Sequence, residues 1–299
     1  MREQFDTPIL FLIFNRPDTT QQVFNQIRKV KPKYLYVAAD GPRLNNNQDI
    51  ESCAQTRNII NQIDWDCEVK TLFRAENLGC RIAVSSAISW FFENVEQGII
   101  LEDDCLPDIS FFRFCQELLL KYKNHEEVLS IGGFNRQKKS YIKEDYLFSR
   151  YFSSWGWATW DKAWSNIDIE LIKAKEIIKN NELKKIYPNY YARLIAKKRL
   201  TDAINNKQDS WAIPWSWTHQ YLNKYTIIPK KNLIENIGFS DDLSTHTKEN
   251  KIDKIFLAHK NYVANFPLKQ PKNINENKLY FTLHITREYL RVILKKIFS

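Results

Sequence analysis

Glycine is scarce in this chain, and that scarcity excludes whole classes of nucleotide site. Seven glycines occur in 299 residues. No Walker loop is present, and no three-glycine dinucleotide fingerprint occurs anywhere. A bound diphosphate must therefore be neutralised by basic side chains and a cation. Long apolar runs are missing as well. Ile9–Phe14 is preceded by Asp6 and runs into Asn15-Arg16-Pro17, so it does not read as a signal peptide. No stretch approaches the roughly 20 apolar residues of a membrane span. Cysteines are few and odd in number (Cys53, Cys67, Cys80, Cys105 and Cys115), with no C-x-x-C unit. Free thiols in a reducing compartment are the simplest reading, and a cytoplasmic protein is expected.

What is present is unevenly distributed. Nine Trp occur, and seven of them fall between Trp155 and Trp217. Residues 1–120 carry 12 Lys/Arg against 17 Asp/Glu, whereas residues 121–299 carry 32 against 18. A basic half suits an anionic surface such as nucleic acid, phospholipid or an anionic glycan, or else a solvated lysine-rich face. The length allows one large domain with an appendage.

The first 105 residues alternate apolar runs with amphipathic segments. Strands are expected at Ile9–Phe14, Tyr34–Ala39, Cys67–Phe73 and Ile99–Leu101. Helices are expected at Thr19–Val30 (with Asp18 as N-cap), Ser52–Ile63 and Ile82–Asn94. That alternation implies an α/β fold with a mostly parallel sheet and crossover helices. Ligands then bind beyond the carboxyl ends of the strands, which singles out Asn15-Arg16, Asp40-Gly41 and Glu102-Asp103-Asp104. Further on, a helix at Phe111–Tyr122, strands at Val128–Gly132 and Tyr225–Ile228, a lysine-rich helix at Ile169–Leu183 and a C-terminal helix at Lys278–Ser299 are expected.

The strongest chemical signal is the run Glu102-Asp103-Asp104. Three carboxylates at the end of a buried strand repel one another and resist desolvation, and a divalent cation relieves both. Oxygen ligands suit Mg²⁺ or Mn²⁺, which also bridge diphosphates. The plainer reading is a helix N-terminus decorated with acids. Asp40-Gly41 is likewise an ordinary turn, Asp209 a helix N-cap, His246 an exposed loop histidine, and part of the Trp cluster core.

Asn15-Arg16, Asp40-Gly41, Asn77-Leu78-Gly79, Glu102-Asp103-Asp104, Trp155-Gly156-Trp157 and Asp209-Ser210-Trp211 occur in the order seen in GT-A glycosyltransferases. More narrowly, residues 8–247 resemble the N-acetylglucosaminyltransferase I type, whose acidic strand end precedes a Pro-Asp-Phe-Phe helix start. Here that start reads Pro107-Asp108-Ile109-Ser110-Phe111-Phe112. The resemblance implies a GT-A (Rossmann-like) mixed sheet with flanking helices, using a UDP-sugar such as UDP-GlcNAc or a related hexose donor. It assigns Arg16, Asp40, Arg81, Glu102, Asp103 and Gly156 to the donor, Asp40 through the uracil and Asp103 through the ribose. Asp104 and His246 would hold Mn²⁺ or Mg²⁺, and Asp209 would be the catalytic base. The family's usual double acid is reduced here to Asp209-Ser210. Trp155, Trp157 and Trp211 would line the acceptor cleft. The acceptor would be a glycan or lipid-linked hydroxyl, as in lipopolysaccharide or capsule assembly.

This gives a GT-A unit over 1–268, with a nucleotide-binding half (1–108) and an acceptor-binding half (109–268). Residues 269–299 form a linker and a basic amphipathic helix. Its Leu279, Leu283, Leu290, Ile293 and Ile297 are expected as an apolar stripe, with His284, Arg287, Arg291 and Lys295 opposite. That helix is expected either to close the domain or to lie on an anionic membrane. Two rivals are a sugar nucleotidyltransferase, which usually shows a Gly-rich loop where Asn15-Arg16-Pro17 stands, and a non-catalytic scaffold. A nucleic-acid partner is not expected, because it would not require the buried acids.

Overall fold

The computed structural model describes residues 4–137, 141–238 and 260–298. The chain begins β1 (Ile9–Ile13), α1 (Pro17–Val30), β2 (Tyr34–Ala39), α2 (Asn47–Asn58), β3 (Glu68–Phe73), α3 (Gly79–Phe92) and β4 (Gln97–Glu102). It continues β5 (Cys105–Pro107), α4 (Ile109–Tyr122), β6 (Val128–Gly132), β7 (Tyr146–Ser149), β8 (Trp157–Trp160), α5 (Asp161–Trp164), α6 (Ile172–Lys179), α7 (Leu183–Ile186) and α8 (Tyr190–Ile204). It closes with α9 (Ala212–Tyr221), β9 (Tyr225–Pro229), β10 (Ile234–Asn236) and α10 (Lys278–Phe298).

Eight strands form one sheet in the order β3-β2-β1-β4-β8-β6-β9-β7, and β10 pairs with β5 in a second. β1 pairs in parallel with β2 and β4, and β2 with β3. β8 runs antiparallel between β4 and β6. β9 returns parallel to β6, and β7 antiparallel to β9. The sheet is therefore mixed and mostly parallel, as expected. Strands β1 and β4 are buried almost throughout, which is why they read as continuous apolar runs rather than alternating ones.

Register decides where the site lies. Ile13 of β1 faces Ala39 of β2, and Leu12 faces Glu102 of β4. The residues that follow those three strand ends are thus brought to one rim. α1 starts two residues earlier than expected. Arg16 occupies the N-cap, Pro17 takes the first turn where its missing N–H costs nothing, and Asp18 lies inside the helix. α4 is capped as its sequence suggests, with the Asp108 carboxylate accepting the Ser110 N–H at 2.8 Å.

The C-terminal helix forms, but it turns an unexpected face inward. Tyr280, His284 and Ile285 are buried, while Leu279 and Leu290 are 52% and 48% exposed. The physical reason is the partner surface. His284 stacks on Tyr151 at 4.1 Å between ring centroids, and Glu288 pairs with Arg136 at 2.8 Å. Ile285 joins a second apolar core with Leu200 of α8 and Trp217 of α9. The preceding segment does not hang free either. Lys269 N–H donates to Asp145 at 2.7 Å, and Arg150 pairs with Glu276 at 3.0 Å. Among the described residues no helix is long and apolar enough to cross a membrane.

Candidate active site

A cleft of about 560 Å³ opens at the carboxyl ends of β1, β2 and β4, lined among others by Arg16, Asp40, Glu102, Asp103, Asp104 and Asp209. The structure therefore gathers residues scattered over nearly two hundred positions.

The acidic strand end is organised around one guanidinium. Arg16 donates to Asp103 at 2.5 Å and to Asp104 at 3.1 Å. Asp103 also accepts the Phe14 N–H at 3.2 Å. Burial opposes the charge on Arg16, but the Asp103 and Asp104 carboxylates outweigh it and push its pKa above the ordinary arginine value. Burial pushes Asp103 up to about 6, against the pull of Arg16. Glu102, at the cleft floor, is pushed up to about 8 by burial and then by its two acidic neighbours. Its carboxyl makes no hydrogen bond to another described residue, so it is available to a ligand hydroxyl.

Asp40 is committed differently. Its carboxylate accepts the Gly41 N–H at 3.0 Å, the Leu78 N–H at 3.0 Å and the Asn77 side-chain amide at 2.9 Å. Burial raises its pKa, and these N–H donors oppose the rise. It thus anchors the turn Asn77-Leu78-Gly79, whose glycine has φ +78. A Cβ there would lie 2.7 Å from Asp209 Oδ2. The Asn-Leu-Gly motif, unremarkable as a sequence, is the joint that lets Asp209 reach α3.

Asp209 is solvent-exposed, and its Oδ1 accepts the Arg81 N–H at 3.1 Å, in the first turn of α3. Arg81 acts here through its backbone. Its guanidinium reaches Asn206 at 3.5 Å and does not line the cleft. The Cys80 thiol sits beside these groups and is pushed up to about 12 by burial and by the charges of Glu102 and Asp209.

The aromatic expectations divide. Trp155 and Trp211 line the cleft, although Trp211 is only 2% exposed. Trp157 does not. It is completely buried, with ring centroids 5.4 Å from Trp211 and 6.0 Å from Trp215, because β8 is a central strand. Gly156 is also structural. Its φ is +57, and a Cβ would lie 2.5 Å from Ile234 Cδ1. His246 lies outside the described residues.

Sequence reading missed a network next to the cleft. Asp49 binds Arg43 at 2.6 Å and Asn15 at 2.8 Å, and the Arg43 guanidinium lies over the Phe14 ring at 5.7 Å. The Arg43 hydrogen bond holds the Asp49 carboxyl below its usual range despite burial. The available signal was position, since Arg43 follows the β2 end by only a few residues. Arg74 and Gln208 also line the cleft without having been singled out.

Among the described residues, no group of three or more His, Cys, Asp or Glu is arranged to hold a metal by itself. The donor set does fit a cation that arrives with a diphosphate. Mg²⁺ keeps several waters and usually takes one or two carboxylates plus phosphate oxygens, and Asp104 is the partly exposed carboxylate at this rim.

No protein-family model and no curated protein matches the sequence. Solved structures align with parts of the chain at low identity and low structural similarity. A UDP-glucose pyrophosphorylase complexed with UDP-glucose is 9% identical, with a TM-score of 0.39, over 78% of this chain and 94% of the other. A 4-diphosphocytidyl-2C-methyl-D-erythritol synthase from Anaerococcus prevotii is 9% identical, with a TM-score of 0.34, over 56% and 77%. An inositol-1-phosphate CTP transferase from T. maritima is 11% identical, with a TM-score of 0.30, over 57% and 76%.

Proposed function

We propose that this chain is a glycosyltransferase moving a sugar, GlcNAc or a related hexose, from a UDP-sugar to a hydroxyl of a glycan or lipid-linked acceptor. The observation that supports it is the arrangement of Asp209 on one wall of the cleft with Glu102-Asp103-Asp104 and Arg16 on another. In this reading Arg16 and Asp103 orient the nucleoside diphosphate, with Phe14 and Arg43 beside the base. Glu102 positions the sugar hydroxyls. Asp104 would hold Mg²⁺ or Mn²⁺, which would supply positive charge beside the diphosphate.

Asp209 takes the proton of the acceptor hydroxyl through Oδ2, since Oδ1 holds α3. The acceptor oxygen forms a bond to the anomeric carbon as the bond to UDP breaks, and UDP leaves with the electron pair. The configuration inverts. A positioned base contributes about 10²–10⁴-fold, and orientation of the two reactants contributes further. Trp155 and Trp211 offer flat apolar faces to an acceptor sugar.

Sugar nucleotidyl transfer, the activity class named for the pyrophosphorylase and CTP transferase neighbours, is the second reading. The observation favouring it is Arg16, a cation directly after β1 that faces the acidic end of β4. Against it, the connection from β1 to α1 is Phe14-Asn15-Arg16, without glycine, and Asn15 is tied to Asp49. One experiment separates the two. The protein is incubated with UDP-sugars and, separately, with UTP plus sugar 1-phosphates, with Mn²⁺ in both, and UDP and pyrophosphate release are followed. UDP release from a UDP-sugar supports glycosyl transfer. Pyrophosphate release from UTP that requires a sugar 1-phosphate, without UDP release from any UDP-sugar, overturns it in favour of the second reading.

A further inference from the structure

A surface patch away from the cleft has the composition of a lipid-facing surface. Residues 171–208, spanning α6 to α8 and the start of the loop beyond, carry ten Lys/Arg and three Asp/Glu. On α8, Tyr190, Tyr191 and Leu194 are 58%, 46% and 46% exposed. Lys197 and Lys198 are exposed too. Positions 190, 191, 194, 197 and 198 follow the spacing i, i+1, i+4, i+7, i+8, so they share one helical face. Tyr191 meets Tyr289 of α10 with ring centroids 4.4 Å apart, and the exposed Leu290 follows. The patch thus joins two helices. Lys184 and Lys185 of α7, and Lys173, Lys175 and Lys179 of α6, are exposed on the same basic segment.

We propose that this α8 face, with the adjoining end of α10, docks the protein on an anionic phospholipid surface. Tyrosines favour the interfacial layer, where an apolar ring meets a wet hydroxyl. Lysine ammonium groups are attracted to anionic headgroups over about a Debye length. Charge argues against a second copy of the chain as the occupant, because two such surfaces would repel. The contact lies elsewhere than the sequence suggests, since Arg287 and Glu288 of α10 face Arg136 of the domain. α8 ends shortly before Gln208 and Asp209, which line the cleft, so a docked α8 places that wall close to the lipid. This docking deepens the reading of a lipid-linked acceptor, but it does not depend on the transfer chemistry.

The test uses the full chain and co-sedimentation with vesicles of phosphatidylglycerol or of phosphatidylcholine, at about 0.1 M and 1 M salt, where the Debye length falls from about 10 to about 3 Å. Two variants are compared: Tyr190→Ser/Tyr191→Ser/Leu194→Ser and Lys197→Ser/Lys198→Ser. The expected result is salt-sensitive binding to phosphatidylglycerol only, weakened about tenfold or more in each variant. The lysine variant should keep the wild-type melting temperature, because its side chains are exposed. The tyrosine variant loses the Tyr191–Tyr289 contact and is compared at a temperature well below its own melting point. Failure of the wild type to bind phosphatidylglycerol overturns the proposal, as does binding by both variants within twofold of wild type. A dimer in light scattering that the tyrosine variant abolishes, without vesicle binding, would assign the patch to self-association and overturn it too. Donor hydrolysis in solution is measured in parallel. Vesicle binding through α8 in a protein that consumes no donor supports the docking and sinks only the proposed chemistry.

Discussion

The Asp209 carboxylate accepts the backbone N–H of Arg81 at 3.1 Å across 128 positions of chain. The same side chain therefore fixes the first turn of α3 and faces the cleft. Asp209→Asn keeps an acceptor oxygen for Arg81 and removes the base. Donor affinity is expected to stay unchanged while transfer falls about 10²–10⁴-fold, read as turnover against binding by calorimetry. Unchanged turnover, or a retained anomeric configuration in the product, sinks the scheme.

Asp104→Ala is expected to abolish the Mn²⁺-dependent part of donor binding and to leave the fold intact. The carboxylate is at the rim, and Arg16 keeps Asp103 as a partner. Calorimetry of a UDP-sugar with and without Mn²⁺ checks it, and equal affinity for mutant and wild type shows that the cation is held elsewhere.

Gly156→Ala is expected to cost about 2 kcal/mol of stability, from a left-handed backbone and a crowded Ile234. Donor affinity should survive in the folded fraction. A variant with normal melting temperature and weakened donor binding would return Gly156 to the donor site.

Glu288 gives the C-terminal helix an acid sensitivity. Burial raises its pKa, but Arg136 and the other nearby cations outweigh burial and hold it at about 2, against an ordinary 4.5. A depressed carboxyl contributes stability above its unfolded value and loses it as pH falls through the folded one. Stability is therefore expected to fall between about pH 4.5 and 2. Glu288→Gln should lower stability at neutral pH and flatten that slope. Denaturant titrations across this pH range measure both, and identical slopes would refute the pairing.

Deleting residues 270–299 is expected to destabilise the whole protein, not merely to release a tail. Tyr280, His284 and Ile285 are buried, and Glu276 and Glu288 leave Arg150 and Arg136 unpaired when removed. A truncated chain with the wild-type melting curve would show that the helix is dispensable.

The parallel half of the fold was legible because β1, β2 and β4 are buried almost throughout and read as apolar runs between helical segments. Tyr34–Ala39 and Val128–Gly132 occur as read. The rim was legible because polar residues that follow apolar strands have few structural reasons to be there. What stayed hidden depends on partners far away in sequence. Trp157 reads like Trp155 until β8 is placed in the middle of the sheet. The inward face of α10 could not be chosen by hydropathy, because His284 is neutralised by burial, down to about 3, and Glu288 finds its cation on another element. The apolar stripe was real, but the domain offered aromatic and charged partners to the opposite side.

β8 has a consequence for the birth of the protein. Its antiparallel seat between β4 and β6 means that β4 has a complete set of neighbours only when residue 160 has been made. At about 5–20 residues per second, a ribosome takes roughly 3–12 s to reach that point after β4 is complete. During that interval a strand as apolar as Gly98-Ile99-Ile100-Leu101 offers an open edge, a template for pairing with other chains. The nascent first half is thus a natural client for holdase chaperones, and slow translation across residues 103–160 should favour aggregates over soluble product.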